Sequence, residues 1–151
     1  ITSLRKAIPD IAITTDILAG FPGETDIQFE HTMAAVQAIG FDYAFCFKYS
    51  PREGTVAAKL LHQVPEAVRL ERLQRLISMQ HEISLKKHQA QIGKIVEVLV
   101  EHESKHTSGQ VAGKTRDAKI CVFAGEKSLI GKLVKVIVIN ATAGTLIGQM
   151  T

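Results

Sequence analysis

Three short runs in this sequence hold side chains that could do chemistry. GFPGE, residues 20–24, lies between an apolar run, IAITTDILA, and a helical pattern that starts at Thr25. Glycine lets a ligand approach the backbone, and strand ends beside helix N-termini can leave N–H donors free. A plain βα turn of unusual φ/ψ needs the same residues, and the run is neither a P-loop nor a G-x-G-x-x-G fingerprint. YSPREGT, residues 49–55, offers Tyr49 and Arg52 at the end of the next strand pattern. An arginine there can hold a carboxylate or phosphate in a bidentate grip, and a solvated Arg52–Glu53 loop has the same composition. In GKTRDAKICVF, residues 113–123, Lys114, Arg116 and Lys119 cluster at a turn near Asp117-Ala118, with Phe123 close in sequence. Basic side chains beside an aromatic suit RNA, where phosphates attract and bases stack. A charged hairpin that keeps a strand edge soluble reads the same way.

Other catalytic chemistry is poorly supplied. Cys46 and Cys121 lie 75 positions apart, which excludes a disulfide framework and a cysteine-only metal site within the chain. Each reads as a small core residue rather than a nucleophile, since no histidine is placed to activate it. His102 and His106 are four apart, but in a strand-and-loop pattern, so helical metal-ligand spacing does not apply and no metal site is expected. No Ser-His-Asp set or carboxylate pair is identifiable. The charge is uneven: residues 1–90 balance ten basic against ten acidic side chains, while 91–151 hold eight against five and so carry the whole +3. A modestly basic C-terminal module invites a polyanion partner. No run approaches the roughly 20 apolar residues needed to span a bilayer, so no membrane partner is expected. The cysteine usage suits a reducing cytoplasm.

The elements that must position these residues follow from periodicity. Residues 11–19 form a continuous β-branched run, the pattern of a strand buried on both faces. Thr25 and Gln28 have capping-box spacing, and Phe29, Met33, Val36 and Ile39 recur at helical intervals before Gly40 stops the helix. DYAFCFKYS reads as a second strand with Phe45, Phe47 and Tyr49 on one face. Strand, helix, strand makes a parallel βαβ unit. One such unit cannot bury a sheet, so the chain is expected to be a fragment, its opening ITSLRKAIPD the end of a helix cut from something longer. A short helix is expected within 55–61. A long one begins at Pro65 and runs about 37 Å to Gln89, with Leu70, Leu73, Leu76, Ile77, Met79 and Ile83 apolar and Arg69, Arg72 and Arg75 more solvated. From Ile92 the period becomes two. KIVEVLVEHE, GQVAGKTR, KICVFAG, LVKVIVINA and TLIGQM are five strand candidates, enough for a small closed barrel of OB-like size. The domain boundary is expected near residue 90.

TTDILAGFPGET, FDYAFCFKYSPREGT, ERLQRLISMQHEIS and the GKTR…VF hairpin occur in that order and at fitting distances. Together they resemble the C-terminal half of a radical S-adenosylmethionine tRNA methylthiotransferase, of the branch that acts on N6-isopentenyladenosine beside the anticodon. The resemblance covers essentially the whole chain, and YSPREGT favours the tRNA branches over the ribosomal-protein branch.

This resemblance implies an α/β fragment of a partial radical-SAM (β/α) barrel with its connecting helix in residues 1–90. It implies a TRAM domain, a small all-β RNA-binding barrel, in 91–151. It implies two [4Fe–4S] clusters and S-adenosylmethionine in the parent protein, with partners that include the missing N-terminal half, the tRNA anticodon stem-loop, a sulfur donor and an electron donor. The cluster-binding cysteines are absent here, so the fragment alone is expected to be inactive. By carry-over, Leu18, Ala19 and Gly20 would form the cofactor's adenosine wall, Gly23 and Glu24 would complete the turn, and Tyr49 and Arg52 would face the target base. Lys114, Arg116 and Lys119 would grip the RNA backbone, with Phe123 as the stacking aromatic. EHESKHTSGQ departs from the family, carrying His102 and His106 where relatives often have a more basic or glycine-containing stretch. A related enzyme for threonylcarbamoyladenosine and a non-catalytic RNA-binding module are the rival readings.

Overall fold

The structure, a computed structural model, describes residues 1–104 and 107–151. The chain divides into two compact units: residue 1 with residues 13–83, and residues 84–151 taking in residues 2–12. The elements are α1 (Thr2–Ala7), β1 (Thr14–Ala19), α2 (Asp26–Ile39), β2 (Tyr43–Lys48), α3 (Val56–Lys59), α4 (Glu66–Gln89) and then β3 (Ile95–Glu103), β4 (Gln110–Thr115), β5 (Ile120–Ala124), β6 (Leu133–Ala141) and β7 (Leu146–Met150), with a 3-10 turn at Lys127–Leu129. The unit division falls inside α4, a few residues before the expected boundary.

In the first unit β1 and β2 pair in parallel, from Thr14 opposite Tyr43 to Ala19 opposite Lys48, with α2 as the crossover. The capping box forms as the spacing predicts: Thr25 Oγ1 accepts from the Gln28 N–H, and Gln28 Oε1 accepts from the Thr25 N–H. One face of the sheet packs on Phe29, Met33, Val36 and Leu76, with Ile17 and Cys46 beneath them. The other face leaves Leu18, Tyr43, Phe45 and Phe47 about half exposed. The expected strand over 11–19, buried on both faces, is therefore shorter and covered on one face only. Tyr49 does not join Phe45 and Phe47, because β2 ends at Lys48 and the chain turns Tyr49 inward.

α4 departs further from expectation. Leu70 and Ile77 are exposed, while Arg72, Leu76 and Gln80 are buried, each one turn from the next. Arg72 is 3% exposed rather than solvated, and Arg69 is also largely covered. The buried guanidinium is tolerated because two carboxylates and an aromatic ring surround it. Gln80 fits the interior by donating to the Phe41 carbonyl at 3.1 Å.

All five expected strands of the second unit form, and they close into a barrel of order β3-β4-β5-β7-β6, with β6 returning to β3. Only β5 and β7 pair in parallel. The interior is Val98, Val100, Val111, Cys121, Phe123, Val136, Val138 and Leu146, all at most 1% exposed. Closure leaves no free edge, and β-branched side chains at alternate positions fill a narrow bore with little rotamer freedom to lose. Gly113 is required where β4 crosses β3: a Cβ there would lie 2.0 Å from the Leu99 carbonyl oxygen. Gly113→Ala must move backbone rather than a side chain, and should cost more than about 2 kcal/mol. Hydrogen exchange would show it as lost protection in β3 and β4, with α2 amides unchanged.

Candidate functional site

The GFPGE corner is tied together by its own groups. The Gly20 N–H donates to Glu24 Oε2 at 2.7 Å, the Glu24 N–H to the Phe21 carbonyl at 2.9 Å, and the Gly23 N–H to the His62 carbonyl at 2.9 Å. Arg72 then clamps the corner, donating to Glu24 Oε2 at 2.6 Å, to the Glu24 carbonyl at 3.1 Å and to Asp26 Oδ1 at 2.6 Å. Its guanidinium lies 5.3 Å from the Phe29 ring centre, and Arg75 lies 5.0 Å from the same ring. Burial works against the Arg72 charge, but its hydrogen bonds to Asp26 and Glu24 outweigh that and raise its pKa. The Glu24 arm is mostly buried and strong, whereas Asp26 is open to water and contributes little.

Gly20 has φ +75°, and a Cβ on it would meet Arg69 Cγ at 2.4 Å. Arg69 Nη1 donates to the Tyr49 carbonyl at 2.6 Å, and its guanidinium lies 6.0 Å from the Tyr49 ring centre. The Tyr49 N–H donates to the Ala19 carbonyl, and Phe21 meets the Tyr49 ring edge-on at 5.3 Å. Thus Ala19, Gly20, Glu24 and Tyr49 come together, and Gly23 is held beside them by its bond to His62. Leu18 instead belongs to the exposed face, opposite Phe47. Arg52 sits in an exposed loop, where its carbonyl accepts from Thr55 and, among the described residues, its guanidinium makes no ion pair.

The four barrel residues do not form one surface. Lys114 and Arg116 are exposed. Lys119 is buried and paired with Asp117, whose other oxygen accepts from the Thr115 hydroxyl. Ala118 closes this turn at φ +61°. Phe123 is 1% exposed within the barrel core and offers no face to a base, because β5 turns Cys121 and Phe123 inward together. The thiol of Cys121 is pushed up to about 11 by burial, and that of the half-buried Cys46 is also raised by burial. Neither is a ready thiolate. His102 is on β3, its ring bonded to the Glu103 carbonyl, while His106 lies outside the described residues. Arg69 and Arg72 were missed from sequence. The signal was present in Glu24 and Asp26 facing a helix with arginines at 69, 72 and 75.

Residues 89–151 match the family described as TRAM domain. The C-terminal barrel is a TRAM domain. Over 99% of its length the chain is 51% identical to the tRNA-2-methylthio-N(6)-dimethylallyladenosine synthase of Anoxybacillus flavithermus, covering 28% of that protein. It is 49% identical to the synthase of that name from Bacillus cereus strain B4264, covering 30%, and 47% identical to that from Moorella thermoacetica, covering 34%. The chain therefore spans about a third, or less, of the length of these curated relatives. No helix among the described residues is long and apolar enough to cross a membrane.

Two predictions test this geometry. Arg72→Leu should lower the opening free energy of the α2 amides and the Gly20 amide by about 3 kcal/mol, since it strands the Glu24 carboxylate. Arg75→Leu, which removes exposed pairs and a half-exposed contact with the Phe29 ring, should cost less, about 1 kcal/mol; TRAM amides should be unchanged in both by hydrogen exchange. In the TRAM turn, burial disfavours the Asp117 charge, but hydrogen bonds from Lys119 and Thr115 outweigh it and hold the carboxyl below its ordinary value. A depressed carboxyl stabilises the fold above its unfolded pKa, and that contribution is lost as pH falls through the folded value. The Ala118 and Lys119 amides should lose protection below about pH 4. Asp117→Asn should already show the weakened turn at pH 7, without that acid dependence.

Proposed function

We propose that this chain is the C-terminal region of a tRNA methylthiotransferase acting at C2 of N6-isopentenyladenosine beside the anticodon. The observation that carries the reading is the similarity over 99% of the chain to synthases named for that product, at 47–51% identity. The TRAM domain supports a role in binding the tRNA anticodon stem-loop. The parallel βαβ unit supports assignment of the preceding residues to the radical-SAM core.

The parent enzyme's clusters do not fit the residues present. Cys121 is sealed in the barrel core and Cys46 is half-buried in a strand, with both thiols raised rather than poised as thiolates. The [4Fe–4S] ligands therefore belong to the missing N-terminal half, and this chain alone is inactive. S-adenosylmethionine fits better. Leu18, with Phe47 opposite, supplies an apolar surface of the kind an adenosine moiety needs, next to the strand end at Ala19 and Gly20. When bound, that cofactor supplies both the radical and the methyl group. The chain's own contribution is positional: Gly23 and Glu24 hold the corner, Tyr49 anchors the end of β2, and Arg52 stands free to meet the substrate. Lys114 and Arg116 are the residues of the basic hairpin that remain available to phosphate. Lys119 instead fixes the turn that presents Arg116, and Phe123 supports the barrel from within.

Binding of the chain to a labelled anticodon stem-loop across a salt series, with a matched DNA duplex as control, tests the RNA half of this reading. Preferential RNA binding is expected, with a log–log salt slope equivalent to a few phosphate contacts that falls by about one in Arg116→Ala. Absence of binding at low salt would overturn it. Nucleoside analysis of tRNA from cells lacking the gene tests the reaction: the 2-methylthio group should disappear while N6-isopentenyladenosine accumulates.

A further inference from the structure

The outer surface of the TRAM barrel holds more than the hairpin cations. β3 runs between β4 and β6, and Ile95, Glu97 and Leu99 face outward from it. Leu99 lies opposite Lys114 on β4 and opposite Leu133 on β6, so one exposed row crosses three strands. Glu97 lies opposite Lys135. Arg116 follows Thr115, the partner of Val98. Lys114 and Arg116 thus flank β3 on one side and Lys135 on the other, about 10 Å apart across two strand spacings. Among the described residues, the side chains of Arg116 and Lys135 make no ion pair, and Lys114 has only Glu101 at 3.8 Å. Three cations therefore outnumber the two acids, Glu97 and Glu101, around an aliphatic strip of Ile95, Leu99 and Leu133.

What this face lacks is as informative. Phe123 is the one Phe, Tyr or Trp in 89–151, and it is in the core, while the exposed ring of His102 on β3 is bonded to the Glu103 carbonyl. Binding of single-stranded nucleic acid relies on exposed aromatic platforms, worth about 1–3 kcal/mol per stacked base. A base-paired RNA stem instead presents phosphates and 2′-hydroxyls along a wide, shallow minor groove and is recognised by shape and charge.

We propose that the β4–β3–β6 face docks the sugar–phosphate backbone of a base-paired RNA stem and does not read bases. The proposal rests on the RNA-binding reading above and adds to it the surface and the form of RNA. Cations on both flanks meet phosphates, and the aliphatic strip lies against the sugars between them. Selection of the target adenosine then falls to parts of the protein outside this barrel.

The test uses the 151-residue chain with three probes: a labelled anticodon stem-loop, the same stem with abasic loop nucleotides, and an unstructured single strand of equal length. The two stem-loops should bind within about twofold of each other, because no stacked base is lost, and the single strand at least about fivefold more weakly. Lys135→Gln should lower the stem-loop salt slope by about one while barrel amide protection is unchanged. Lys127→Gln, at a lysine paired with Glu103, should leave the slope as it was. A large loss with the abasic loop, a preference for the single strand, or an unchanged slope in Lys135→Gln would overturn the proposal while leaving RNA binding standing. Failure of every RNA to bind would overturn both.

Discussion

The first unit depends on one buried cation. Arg72 is removed from water in the same arrangement that buries Leu76 with Phe29 and Val36, so its desolvation must be offset locally. Glu24 does most of this, because it too is largely shielded and its Oε2 accepts from Arg72 and from the Gly20 N–H at once. The π face of Phe29 adds a further contact at a site already desolvated. One carboxylate oxygen therefore joins the end of β1, the start of α2 and the first third of α4. A leucine in place of Arg72 could fill the volume but could not organise the turn. The ion pair thus fixes geometry more than it adds stability, a role buried pairs have in other folds.

The two units meet the problem of a small core differently. The TRAM barrel closes its sheet, leaves no edge, and fills the bore with alternate valines, so every strand is supported on both sides. The βαβ unit has two strands, and each has one edge without a strand partner among the described residues. Its helices cover one face, while Leu18, Tyr43, Phe45 and Phe47 stand half exposed on the other. A row of aromatic and aliphatic side chains in parallel register is costly to leave in water, at about 25 cal/mol per Å² of apolar surface that burial would remove.

Much of the fold was legible because it is local. The capping box at Thr25 and Gln28, the stop at Gly40 and the switch to period two after Ile92 each depend on a few neighbouring residues, and each corresponds to an element. The site was less legible, although part of the answer was available. In a strand, residues two apart share a face, so reading Cys121 as core already places Phe123 inside, and Lys119 falls on the same side. The same parity turns Lys114 and Arg116 outward. What parity could not supply is where β2 ends, which decides that Tyr49 turns in while Phe45 and Phe47 remain out. Nor could helix periodicity find the α4 face, because the buried positions 72, 76 and 80 are polar, apolar and polar, and their partners lie some 40 or more residues away.

The glycines of the corner show why a motif at a strand end underdetermines its use. A glycine beside a parallel strand is usually read as room for a ligand, since a missing Cβ permits close approach. At Gly20 that room is filled by the chain itself: the stem of Arg69 occupies the place a Cβ would take, and its head group holds the Tyr49 carbonyl. The N–H groups of Gly20 and Gly23, the donors a ligand would need, are bonded to Glu24 and His62. A ligand at this strand end therefore cannot be held by the corner's amides without displacing an internal bond. The surface left to it is the opposite face of the sheet, where Leu18 and Phe47 lie side by side. GFPGE fixes where β1 stops.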